Sequence, residues 1–95
     1  MQQITIFSES PVALKPLLES AIQTELRLLQ FGIGRTQEKI AVFEREYELA
    51  SDEFEKLLHA GRIQENLDLI EWSGEIETLR RLQNKYHTLQ EAHLT

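Results

Sequence analysis

The sequence predicts an all-α fold, an antiparallel, coiled-coil-like helical hairpin with a short connecting helix, assembled in pairs as a dimeric four-helix bundle. Three observations predict it. One apolar row runs through Ile22, Leu26, Leu29, Ile33, Thr36, Ile40, Phe43, Tyr47 and Ala50, in alternating steps of four and three. That is the 3.5-residue repeat of a helix seam. A second row runs in the same rhythm through Leu69, Trp72, Ile76, Leu79, Gln83, Tyr86, Gln90 and His93. Between them stands a short segment with a helix-start signal at Ser51 and a stop glycine at Gly61.

The first element, residues 1–14, reads as a strand or a tail. Residues 2–7 (Gln-Gln-Ile-Thr-Ile-Phe) alternate like a strand, but a lone strand finds no partner within one chain. Ser10-Pro11 resembles an N-cap followed by proline at the first helical position. Pro16 cannot donate a backbone hydrogen bond deep inside a helix, so the first long helix is expected over 15–50. Leu18, Ala21 and Leu28 widen its apolar stripe. Gly32 and Gly34 each cost about 1 kcal/mol relative to alanine and mark a bend, a close crossing or a soft point in one continuous helix.

Ser51 then serves as N-cap of a short helix, 51–60, with Asp52 and Glu53 favoured in its first turn by the helix dipole. Phe54, Leu57 and Leu58 form its apolar edge. Residues 62–66 connect to a second long helix over 67–94, where Leu82 and Leu89 lie beside the seam. Ninety-five residues make one domain, and a chain of this size buries only about 60–65% of its unfolded surface. Homodimerisation is the expected remedy. The oligomer seam expected is Ile22, Leu26, Leu29, Ile33, Ile40, Phe43 and Tyr47.

Charge narrows the partners. The formal net charge is −6, and the stretch from Glu44 to Glu77 holds eleven acids against three bases, a local −8. Such a surface repels phosphates, so direct nucleic-acid binding is disfavoured and a basic protein is the natural complement. A solvated surface of immaterial sign is the plainer reading. The absence of cysteine suits a reducing compartment. Charges interrupt every candidate membrane span, and residues 1–20 lack the basic and apolar regions of a signal peptide. A cytoplasmic location is expected.

Chemistry is sparse. His87 and His93 lie six apart on different helix faces, so they cannot share a metal at that spacing. Glu55 and His59 could supply two ligands from one turn, short of the three or four a zinc site needs. Gly32-Ile33-Gly34 lies in a helical pattern rather than after a strand, so it is no phosphate loop. No serine has a histidine at triad-like spacing. Neither catalysis nor a cofactor is expected.

The segment 67–74, Leu-Asp-Leu-Ile-Glu-Trp-Ser-Gly, stands out. Trp72 is the only tryptophan, and Asp68, Glu71 and Glu75 form an acidic ridge beside its seam. Ser73-Gly74 leaves room for a neighbouring helix backbone. Two readings follow. Trp72 is an aromatic anchor for a basic partner, or it plugs the hairpin core against Phe43, Tyr47 and Phe54.

Residues 25–90 resemble a family of short prokaryotic helical proteins from toxin–antitoxin gene pairs, whose toxin neighbours are TumE-like. The pattern is Phe43-Glu44, Tyr47, Ser51-Asp52-Glu53-Phe54, Gly61 and then Asp68-Leu69-Ile70-Glu71-Trp72-Ser73-Gly74. Family members often carry glycine after the tyrosine, where Glu48 stands here, and serine in place of Ala50. That departure removes half of a capping box and implies that the first helix runs on further. The resemblance implies an antitoxin that neutralises a cognate basic toxin of ribonuclease-like kind. Phe54, Leu58, Asp68, Glu71, Trp72 and Glu75 are the partner-contact candidates. The alternatives are a structural or chaperone-like coiled-coil subunit and a ribbon-helix-helix autoregulator with a strand in the major groove. The latter needs basic side chains that residues 2–7 lack.

Overall fold

The structure, a computed structural model, describes residues 4–92. Three helices follow one another: α1 (Pro11–Tyr47), α2 (Ser51–His59) and α3 (Leu67–Gln90). No strand occurs among the described residues; 4–10 are irregular and exposed, and residues 2 and 3 of the expected strand lie outside them.

The first helix begins earlier than the sequence reading placed it. Ser10 accepts backbone bonds from Ala13 and Leu14, at 3.1 and 3.0 Å, so helical bonding is under way before Pro16. Pro16 then stands inside α1. Its ring removes a single bond, to the carbonyl of Val12, within the second turn. The expectation that proline bars the helix before residue 15 is thus corrected. Gly32 and Gly34 do not break α1. At Gly32 a Cβ would meet Leu82 Cδ1 at 3.4 Å, which marks a close approach between α1 and α3.

Rising residue numbers in α1 meet falling numbers in α3: Gln30 bonds Tyr86, Lys39 pairs with Glu75, and Tyr47 bonds Asp68. The two helices are therefore antiparallel. With this register Gln90 lies opposite about residue 25, so the first turns of α1 project beyond the end of α3. The chain is accordingly a rod, 59 × 22 × 18 Å.

The heptad rows are the faces on which α1 and α3 pack. Leu29, Thr36, Ile40 and Phe43 are buried on α1, and Leu69, Trp72 and Ile76 on α3. Along α3 the inward row then shifts from Gln83 and Gln90, both exposed, to the half-buried Leu82 and Leu89. The step from Leu79 to Leu82 is three residues where the row calls for four, and the apolar leucine takes the inward place from the polar glutamine. Part of the expected oligomer seam is already occupied within one chain. Ile40 and Phe43 belong to the intramolecular core, and Leu29 is buried within one chain, so they offer no free surface to a second copy. Ile22, Leu26 and Ile33 are half-buried, and Tyr47 keeps only part of its ring in water.

Candidate functional site

The short-helix end of the rod gathers both the largest rings and most of the negative charge. Trp72 comes from the second turn of α3 and is fully buried. Phe54 of α2 stacks on it with ring centroids 3.9 Å apart and planes 6° from parallel. From α1, Phe43 and Tyr47 reach the same indole at 5.9 and 5.8 Å. Aromatic pairs of this kind add about 0.5–1.5 kcal/mol each beyond the area they bury. Half-buried Leu49, Leu58, Ile63 and Leu79 close the cluster.

Polar bonds hold this end at defined points. The Trp72 Nε1–H donates to Ser51 Oγ at 3.0 Å, which satisfies the one donor the buried ring carries. The Ser51 backbone N–H donates to Glu44 Oε2 at 2.9 Å. Ser51 is therefore not the N-cap expected of it. Ala50 takes that position with no side-chain bond, and a carboxylate from α1 satisfies a free N–H of the first turn of α2. Asn66 caps α3, accepting from Leu69 N–H at 2.9 Å. Asn66 followed by Asp68 in the first turn is a helix-start signal that the sequence carries.

α1 ends at Tyr47, and the expectation that it runs on to residue 50 is corrected. Glu48 adopts the left-handed conformation, φ 50° and ψ 46°, and its N–H returns to the Glu44 carbonyl. This is the position where the resembled family often has glycine, and the turn forms here without it. The left-handed region costs a non-glycine residue about 1–2 kcal/mol. Gly61, after α2, adopts φ 69° without that cost.

The Tyr47 hydroxyl donates to Asp68 Oδ2 at 2.9 Å. That hydrogen bond, with some burial and the negative charge of Asp68, raises the Tyr47 pKa above its ordinary value. Arg80 reaches Glu55 at 2.6 Å and ties α2 to α3; the bond and the charge of Glu55 raise the pKa of the guanidinium. Lys39 pairs with Glu75 at 3.5 Å across α1 and α3. These exposed pairs each contribute little to stability, about 0–1 kcal/mol, but they set which acids stay free.

The six contact candidates separate accordingly. Trp72 and Phe54 are enclosed, so neither is a surface anchor in this fold, and the core-plug reading of Trp72 describes what is seen. Leu58 packs half-buried against the core, and Glu75 is paired with Lys39. Asp68 and Glu71 remain exposed. Beside them stand two residues of the same segment that were not among the contact candidates, Leu67 and Ile70, which are 84% and 55% exposed. They lie one turn apart on the outer side of α3, with Gly74 a further turn along and nothing within 4 Å of where its Cβ would stand. The signal was available: Leu67 and Ile70 fall outside the Leu69–Trp72–Ile76 row, and apolar residues off the core row have no partner in the hairpin.

Among the described residues no cluster of three metal-ligating side chains occurs, and Glu55 is engaged by Arg80 rather than His59. No helix among them is long and apolar enough to cross a membrane. Compared with protein-family models, curated proteins and solved structures, the chain matches none.

Proposed function

We propose that the chain is an antitoxin-like binding protein that captures a basic protein, a cognate toxin of ribonuclease-like activity, on the outer face of α3. The observation that carries this reading is the exposed pair Leu67 and Ile70, flanked by the exposed carboxylates of Asp68 and Glu71. Apolar contacts of this kind supply affinity at the centre of an interface, and surrounding charge speeds encounter and selects partners of opposite sign. Exposed Glu46, Asp52, Glu53 and Glu65 extend the same sign over the α2 end of the rod. Gly74 leaves the backbone of α3 open to close approach. No catalytic step is assigned to the chain.

The experiment is co-expression with the product of the adjacent gene. A complex that co-purifies at low salt, weakens as salt rises and is lost on Leu67→Glu plus Ile70→Glu supports the reading. Separation of the two proteins on a sizing column at low salt sinks it.

A second reading, a structural coiled-coil subunit, draws on the 59 Å rod itself. A ribbon-helix-helix regulator fits poorly, because its helix must break within about two dozen residues of the strand and α1 is continuous.

A further inference from the structure

α1 carries a second apolar row that the hairpin leaves unused. Leu17, Leu28, Phe31 and Val42 are 67%, 62%, 72% and 50% exposed. At 100° per residue they fall within about 60° of one another, on the side away from the row that meets α3. They also keep a heptad rhythm: with exposed Ala21, Thr24, Arg35 and Glu38 in the intervening places, the steps alternate four and three from residue 17 to 42. A lone apolar residue on a surface needs no explanation, but a sustained heptad does.

This row complements itself when reversed. Turned about the midpoint between Leu29 and Gln30, Leu17 faces Val42 of a second copy and Leu28 faces Phe31. The same turn sets Thr24 against Arg35 and Ala21 against Glu38. An in-register parallel pair would instead stack Arg35 on Arg35 and Glu38 on Glu38, like charges at facing seam positions. The antiparallel pair places each charge over a short side chain, so its stem covers the seam while its head reaches water. Space fits as well. A shallow depression lined by Gln30, Phe31, Gly34, Arg35 and Glu38 lies beside the Phe31 ring, where Gly34 has no side chain, and it offers room for Leu28 of the second copy.

We propose that α1 pairs antiparallel with α1 of a second copy through this outer row, and not through the heptad packed on α3. The dimer is then a thicker rod of about the same length, with the two α2 ends at opposite tips. Each tip carries its own Leu67 and Ile70, so one dimer presents two separate binding faces. This inference does not depend on the toxin reading, and its test uses the chain alone.

Light scattering on the full chain should give twice the chain mass, and Leu28→Glu plus Phe31→Glu should give the single mass with helical circular dichroism retained. Native protein at the single mass overturns the proposal, as does a variant that stays at twice the mass. Should the variant lose helicity, the native seam is read directly. The chain has no cysteine, so Arg45→Cys carries one nitroxide per copy. Antiparallel pairing separates the two labels by about 45 Å of helix rise. A separation on the order of 20 Å marks parallel packing and overturns the arrangement.

Discussion

The two ends of the rod start from the same heptad rhythm and end in different structures. At the α2 end, Phe43, Tyr47, Phe54 and Trp72 bring rings from all three helices onto one indole, and Ser51, Glu44, Asp68 and Asn66 bond the chain around them. At the other end α3 stops at Gln90 while α1 continues past it. There Ile22, Leu26 and Leu89 are only half-buried. An open apolar hollow of about 520 Å³, lined by Ile4, Leu29, Leu89 and Ala92 among others, takes the place of a core. A heptad chooses the face of a helix that turns inward. It does not determine how completely that face is covered, which depends on a third element being present.

The largest effect expected is a contrast between these ends. Trp72→Ala should cost about 3–5 kcal/mol, because it empties the centre of the ring cluster. Leu89→Ala, at a position already partly in water, should cost less than about 2 kcal/mol. Urea unfolding of the two variants measures both. Equal losses would show that the rod has one uniform core and erase the distinction.

Next comes the bond inside the closed end. Ser51→Ala leaves the buried indole N–H without a partner and should cost about 1–3 kcal/mol. In a Trp72→Phe background the same change should cost much less, since the donor is gone. A double-mutant cycle that finds no coupling removes the Ser51–Trp72 bond from the account of why this end is tight.

The smallest effect expected is a gain. Glu48→Gly relieves a left-handed residue at the turn after α1 and should raise stability by about 0.5–1 kcal/mol, read as a rise in thermal midpoint. A drop instead would mean that the Glu48 side chain holds the turn by more than its backbone strain costs.

Much of the helix pattern was legible because periodicity reports burial directly. Ile40, Phe43, Leu69, Trp72 and Ile76 were readable as inward-facing from spacing alone, and all five are buried. Helix ends were less legible. Pro16 and Ser51 each carry a strong local signal, yet α1 tolerates the lost bond at Pro16 and Ser51 is drawn to the indole of α3. In the candidate site, Asp68 and Glu71 are exposed as a polar ridge should be. Trp72 and Phe54 are not, because sequence alone does not say which rings close on one another.

By itself the sequence determined that the chain is helical, that it has two long amphipathic stretches with a short one between them, and that negative charge gathers from residue 44 to 77. Those properties are sums over local residues, and spacing carries them. Only the tertiary structure decided that the main heptad is filled by α3 of the same chain. That in turn left Leu67 and Ile70 facing water beside exposed carboxylates, and the outer row of α1 bare. Whether an apolar side chain is covered depends on which helix arrives against it, and that is a relation between distant parts of the chain that no local pattern records.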